Sequence, residues 1–341
     1  MSKIKAGLIG YGKIGKLRHR VFEDLNLGEI ISICDPYEDL SALESDYITT
    51  NNYNDVLSSN INTVFVATPN NITAQIVVEA LSRGLHVFSE KPPGRNLDEV
   101  FEIKTEYEKK ENLVLKFGFN HRYHASVLQA YDIYKSGRLG ELMWARGLYG
   151  KSGGEDFEEE WRSDKEIAGG GILLDQGIHM IDLLNLFFDG FNEVKSFVTN
   201  TFWDIPVEDN AFSILKNNDN QYALFHSSST QWNHLFRLEL FFEDGYLIIP
   251  GFLTGSRSYS PEKLIMARRN FEDEGEPVEE EIYFEEDNSW ELEMNEFTNA
   301  INKGESIEYG NIYDAVQAMD LIEEIYSSDE KWQENENLKL S

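Results

Sequence analysis

The feature that most restricts what this chain can fold into is an alternation of two hydrophobic periods over its first 120 residues. Short β-branched runs at residues 4–9, 30–34, 63–67, 86–89 and 113–118 are mostly separated by longer amphipathic segments, at residues 13–24, 73–83 and 97–110. Parallel strands need crossover connections, and helices are the usual ones, so this rhythm predicts a doubly wound α/β domain over residues 1–120. Asn96 stands where it can cap the helix over residues 97–110. From Arg122 the rhythm changes. A helix at residues 125–136, a strand at 141–149 and an irregular stretch lead to a helix at 173–188. Closely spaced runs near residues 193–201, 210–216, 222–228, 236–242 and 246–249 have no helices between them and predict an antiparallel sheet. Two helices, at 290–302 and 311–327, close a second domain expected over residues 121–341.

Composition removes several classes of function. With 30 Lys or Arg against 61 Asp or Glu, the formal charge of −31 offers no cationic field for nucleic acid or for an anionic membrane. Hydrophobic residues at 41% and aromatic residues at 13% supply material for substantial cores, so the charge does not signal disorder. A single cysteine, Cys34, excludes an intrachain disulfide and fits a reducing compartment. The start, Met1 to Gly7, lacks the apolar stretch of a signal peptide, and Asp175, His179 and Asp182 interrupt the apolar segment 172–188. A cytoplasmic location follows as the expectation. Residues 272–296 are rich in carboxylates without any Lys or Arg and read as a solvated surface, because they lack the spacing of a calcium loop. No metal site is expected.

Gly10-Tyr11-Gly12-Lys13-Ile14-Gly15 follows the first strand and opens the first helix, and Asp35 stands about twenty residues past the last glycine, at the end of the second strand. Gly10 would permit the tight turn, Gly12 the close approach of a pyrophosphate, and Gly15 the packing of helix on strand. Free N–H groups at the helix start favour an anion. Asp35 can accept both adenosine ribose hydroxyls and would repel the extra phosphate of NADP, so the reading favours NAD. Lys91, in Ser89-Glu90-Lys91-Pro92-Pro93, ends a strand at the carboxyl edge of the sheet, where open α/β sheets bind ligands. It can stabilise an alkoxide there, or it can be a surface lysine paired with Glu90. In the helix at 173–188, Asp175 and His179 are four apart and share one face, with Asp182 one turn on. Histidine suits removal of a hydroxyl proton at neutral pH. A purely structural His–acid pair satisfies the same spacing. Gly177 costs that helix about 1 kcal/mol, which suggests a close approach by a ligand or another backbone.

These motifs, with Ala67-Thr68-Pro69-Asn70 and Asp175-Gln176-Gly177-Ile178-His179 in order between and after them, resemble those of the Gfo/Idh/MocA oxidoreductases, which include glucose-fructose oxidoreductase and inositol dehydrogenases. The resemblance extends over nearly the whole chain. It implies an N-terminal Rossmann domain, a C-terminal α/β domain with a large, open, mainly antiparallel sheet, and NAD(P)-dependent redox chemistry at a sugar or cyclitol hydroxyl. By position, Lys91 matches the active-site lysine, Asp175 the substrate-binding acid and His179 the acid/base histidine. Thr68, Pro69, Asn70 and Glu90 match cofactor-side positions, and Asn120 the approach to the nicotinamide. The histidine that the family commonly places shortly after Pro69-Asn70 is missing from Asn71-Ile72-Thr73-Ala74.

Arg122, Tyr123, Trp161 and Arg162 are candidate substrate-binding residues. An arginine fork suits hydroxyl, carboxylate or phosphate oxygens, and flat rings suit a pyranose. His121 and His124 have equal standing as surface residues. The segments around Arg122 and Trp161 are similar to family members tied to cell-surface polysaccharide and nucleotide-sugar pathways. The expected activity is hydride transfer between a secondary hydroxyl of a sugar or sugar derivative and nicotinamide. An inositol dehydrogenase, a sugar-ketone reductase, a glycosidase using NAD transiently and a non-catalytic NAD-binding regulator are its rivals. Large residues on the second sheet, among them Phe202, Trp203, Phe225, Trp232, Phe241 and Phe242, suggest a homodimer or homotetramer joined through that sheet.

Overall fold

The structure is a computed structural model describing residues 3–43, 47–254, 258–259, 261–270 and 277–334. Residues 272–276 of the acidic stretch, Met1 and Ser2, and residues 335–341 lie outside the described residues. The chain separates into two compact units, Met1–Asn120 with Trp290–Val316, and His121–Ser289 with Gln317–Ser341. The sequence-based division assigned everything after residue 120 to the second domain. The helix following Trp290 belongs with the first because Met294 and Phe297 complete that unit's core, the Phe297 ring lying 5.4 Å from Phe88 and 6.0 Å from Phe65.

The first unit runs β1 (Lys5–Ile9), α1 (Lys13–Asp24), β2 (Glu29–Cys34), β3 (Ile48–Thr50), α2 (Tyr53–Leu57), β4 (Thr63–Val66), α3 (Asn70–Ser82), β5 (His86–Ser89), α4 (Leu97–Tyr107) and β6 (Leu115–Phe117). Its six strands are all parallel in the order β3-β2-β1-β4-β5-β6, so the strand order reverses between β1 and β4, where such sheets bind dinucleotides. Asn96 caps α4 as expected, its side chain accepting from the Glu99 amide at 3.0 Å. Two elements were not anticipated. β3 is a three-residue edge strand, and α2 is a single short turn capped by Asn52, both too brief for periodicity to register. α3 begins at Asn70 rather than 73, directly after Pro69.

The second unit contains α5 (Ala125–Lys135), β7 (Leu142–Gly150), the short α6 (Lys165–Ala168), a π-helical turn (Leu173–Gly177), α7 (Ile178–Phe188), β8 (Glu193–Thr199), β9 (Asn210–Lys216), β10 (Tyr222–Ser228), β11 (Leu235–Phe242), β12 (Gly245–Ile249), β13 (Glu262–Arg268) and β14 (Glu279–Phe284). The chain closes with α8 (Ser289–Lys303) and α9 (Ile312–Ser327). The eight strands lie in the order β14-β13-β12-β11-β7-β10-β9-β8, antiparallel except where β7 meets β10. β13 and β14 were not foreseen. The acid-rich composition of β14 masks it, yet charged side chains suit an exposed edge strand.

α7 packs tightly on this sheet. A Cβ on Gly147 of β7 would meet Met180 at 2.7 Å, and one on Gly177 would meet Phe225 and Ser227 of β10 at 3.1 Å. The glycine that precedes α7 therefore sits tightly against the sheet beneath it. The stretch Lys165–Phe188 reaches a mean hydropathy of 1.2, but 83% of that window is buried inside the protein, as in a core helix.

Candidate active site

In the first unit, Gly10 has φ +90°, and a Cβ there would meet the Ala67 carbonyl oxygen at 2.3 Å. A Cβ on Gly15 would come within 1.9 Å of the Gly10 carbonyl oxygen. Both glycines are thus required by the protein's own backbone. Gly12 differs, since nothing lies within 4 Å of its Cβ position. The open space faces the start of α1, which has no side-chain cap and no acidic residue in its first turn. Uncapped amides beside an unobstructed glycine fit a pyrophosphate. Lys13 and Ile14 are the first two helical residues.

Asp35 lies beside this turn. One carboxylate oxygen accepts from the Tyr11 amide at 2.7 Å, and the other from the amides of Tyr37 (2.8 Å) and Glu38 (3.0 Å). These bonds hold the carboxylate against the glycine turn, as a ribose-binding acid requires. The neighbouring residues in sequence contain no cation, but α1 brings Lys16 to Glu38 at 2.6 Å, and that bond raises the Lys16 pKa. After β4, Thr68 and Thr73 bond through their hydroxyls at 2.9 Å, Pro69 precedes α3, and Asn70 is buried as its first residue.

Glu90 is engaged by a residue far from it in sequence. It accepts from Arg18 Nε at 2.6 Å, and Arg18 Nη2 reaches Glu293 at 2.6 Å. The guanidinium lies between the rings of Phe88 (4.3 Å) and Trp290 (4.4 Å). Burial pushes the Glu293 carboxyl up to about 7, against the lowering effect of Arg18. Glu90 is thereby tied to the helix that follows the glycine turn, which places the half-buried Lys91 at the end of β5. Asn120 is buried in a 3-10 turn, Asn120–Tyr123.

In the second unit the Asp175–His179 spacing is not that of a plain α-helix, because Asp175 sits in the π-helical turn that precedes α7. Such wide turns often occur at functional sites. The buried Glu208 holds the start of this segment, accepting from the amides of Gly171 (2.8 Å) and Leu173 (2.9 Å) and from the Tyr326 hydroxyl (2.9 Å). Asp175 bonds Lys151 Nζ at 2.9 Å and lies 3.5 Å from Arg162 Nε. Arg162 in turn lies over the Trp161 ring at 4.5 Å.

His179 is 5% exposed, and its ring stacks on that of His121 at 3.8 Å. His121 Nε2 is 3.1 Å from the Tyr149 hydroxyl. Burial, with the charge of Asp175 contributing, raises the Tyr149 phenol well above its ordinary value and pushes Tyr259 up to about 12. The Tyr149 ring also lies 6.2 Å from that of His179. Arg122, expected to face substrate, closes its fork on Asp182 at 2.8 and 2.6 Å, and Tyr123 beside it is buried. Sequence reasoning missed Lys151, Tyr149 and Tyr259. They are isolated polar residues in or beyond strands, and no local pattern marks them. Among the described residues, no group of three or more His, Cys, Asp or Glu converges to hold a metal ion.

Residues 4–118 match an oxidoreductase family with an NAD-binding Rossmann fold, and residues 127–248 match the GFO/IDH/MocA C-terminal domain. The chain is 27% identical over 227 residues to levoglucosan dehydrogenase of Pseudarthrobacter phenanthrenivorans and 30% identical over 217 residues to D-glucoside 3-dehydrogenase of Escherichia coli. Each alignment covers 61% of this chain, and they span 57% and 60% of those relatives' own length. The solved structure of levoglucosan dehydrogenase in complex with NADH and levoglucosan superposes with a TM-score of 0.85 at 20% identity, covering 97% of this chain and 98% of that one. A 3-ketoreductase from Actinomadura kijaniata in complex with NADP and TDP-benzene has a TM-score of 0.83 at 18% identity, covering 96% and 98%. With both of its units matched, the chain belongs to the GFO/IDH/MocA oxidoreductase family.

Proposed function

We propose that the protein is an NAD-dependent oxidoreductase that transfers a hydride between a secondary hydroxyl of a sugar or cyclitol and the nicotinamide. The observation that carries this reading is the buried His179 imidazole, stacked on His121 near an acid that is itself held by Lys151 and Arg162. The named activities of the relatives, levoglucosan dehydrogenase and D-glucoside 3-dehydrogenase, support a carbohydrate hydroxyl as the reacting group. When bound, the dinucleotide supplies the hydride acceptor, held by Gly10, Gly12, Gly15 and the amides opening α1, by Asp35, and by the segment Thr68-Pro69-Asn70.

His179 takes the hydroxyl proton. Stacking on the His121 ring at 3.8 Å fixes the orientation of this imidazole. Lys91 stabilises the alkoxide that develops as the proton leaves. Asp175 orients the substrate, while Lys151 and Arg162 hold its carboxylate; Trp161 and Arg162 offer a ring face and donors to the remaining hydroxyls. Arg122 and Tyr123 support this arrangement from within the unit, Arg122 by fixing Asp182 on α7. Asn120 and Glu90 belong to the cofactor side. A panel of free, phosphorylated and nucleotide-linked sugars and of inositols, followed by NADH absorbance, tests the reading. Reduction of NAD by at least one sugar or inositol is expected, and no turnover with any of them overturns it.

The same reading includes a cytoplasmic location and self-association through the second sheet. Its outward face exposes Phe197, Phe212, Ile214, Tyr222 and Leu224, whereas Phe225 and Phe242 point into the core. An apolar face of this extent favours a second copy. Light scattering of wild type against Ile214→Glu is the check, with the variant expected to shift towards monomer.

A further inference from the structure

A cleft of about 290 Å³ lies at the carboxyl end of α7, walled by that helix end, the turn between β9 and β10, and the second half of α9. It plays no part in the redox reading. Four carboxylates line it, those of Asp189, Asp219, Asp320 and Glu324, and among the described lining residues there is no Lys, Arg or His. The helix end adds to the same sign, because the last carbonyls of α7 carry the negative pole of its dipole. Burial and the neighbouring charge of Asp320 raise the Glu324 carboxyl above its ordinary value, a cost that a bound cation would relieve.

A second observation is independent of the charges. Asn185, on the last turns of α7, is 4% exposed and lines the cleft, yet neither its Oδ1 nor its Nδ2 has a hydrogen-bond partner. Leaving a buried amide unsatisfied costs on the order of 1–3 kcal/mol, so its persistence points to a ligand that completes it.

The cleft's size and donor set select the kind of ligand. A bound water needs only about 10–15 Å³ on this measure, so a bare metal ion would leave most of the space unfilled. The lining carboxylates also do not converge as metal ligands, since no such group of three exists among the described residues. Two aromatic residues, Phe188 and Phe191, with ring centroids 5.2 Å apart, form part of the wall and suit the carbon skeleton and the positive charge of an alkylammonium. We propose that this cleft binds a small organic cation carrying ammonium groups, of the diamine or polyamine class.

The test is calorimetric titration of the full-length chain with spermidine at 150 mM NaCl, with putrescine and calcium chloride as separate arms. Saturable binding of one spermidine per chain is expected. The Asp320→Asn/Glu324→Gln double variant should weaken it at least tenfold. Removing the same charge from the exposed acidic stretch, with Glu285→Gln/Glu286→Gln, should leave the affinity unchanged. Should the double variant fail to fold, Asn185→Leu provides the second measurement, expected to weaken spermidine binding at least threefold while retaining the wild-type circular dichroism. Absence of saturable binding, equal losses in the two double variants, an unaltered affinity in Asn185→Leu, or saturation by calcium with spermidine inert would each overturn the proposal.

Discussion

The candidate sites in the two units are built from different material. The glycine turn of the first unit is backbone: a strand end, three glycines and the uncapped amides of α1, with all its glycines within six consecutive residues. The cluster around His179 in the second unit is side chains, drawn from the 3-10 turn carrying His121, from Tyr149 on β7, Lys151 just beyond it, Arg162, and the π-helical turn and α7. A backbone site tolerates no added Cβ where the chain folds onto itself. A side-chain site tolerates drift in sequence but depends on stacking and ion pairs that only assembly creates.

The largest effect that would sharpen this contrast is chemical. His179→Asn should lower turnover by on the order of 10²- to 10⁴-fold while leaving NAD affinity unchanged. Steady-state assays with a turned-over sugar, paired with NADH fluorescence titration, check it, and full turnover in the variant would break the assignment.

Next in size are two glycine substitutions in one turn. Gly15→Ala drives a methyl against the Gly10 carbonyl and should destabilise the protein by roughly 2–4 kcal/mol. Gly12→Ala meets no protein atom, so its melting temperature should stay near wild type while NAD affinity falls about tenfold, or about 1.4 kcal/mol. Thermal melts and NAD titration of both variants read the difference. Equal effects on stability would mean that Gly12 is not reserved for a ligand.

Asp35→Asn removes the repulsion of a 2′-phosphate, with Lys16 already close by, and should raise the preference for NADP over NAD by about tenfold in kcat/KM. An unchanged preference would count against Asp35 as the discriminating residue.

A comparison outside this ranking concerns the ion network behind Glu90. The folded chain holds the Glu293 proton more tightly than the unfolded chain does. The stability this brings is complete below the ordinary carboxyl range and is lost as pH rises through about 7, at about 1.4 kcal/mol per pH unit between those limits. Wild type should therefore lose melting temperature between pH 5 and 8 relative to Glu293→Gln. Parallel curves would show that Glu293 does not titrate in that window.

Local patterns were legible where the physics is local. The glycine turn, the Asn96 cap and the alternation of strand and helix each depend on neighbours within a few residues, and each stands in the structure as read. The brief β3 and α2 offer too few residues for a period, and β14 hides under its acidic composition. The Asp175–His179 pair was legible as a spacing, but the π-helical turn that changes its geometry was not. Nor was the engagement of Arg122 with Asp182, sixty residues away.

By itself the sequence determined the parallel sheet, its glycine turn and the acid beside it, because hydrophobic period, glycine permissiveness and helix-end amides act over short stretches of chain. Only the tertiary structure decided which side chains surround His179, which strand crowds Gly177, and that the helix after Trp290 completes the first unit's core. Those outcomes follow from close packing between segments far apart in sequence, where a contact exists only after the whole unit has assembled.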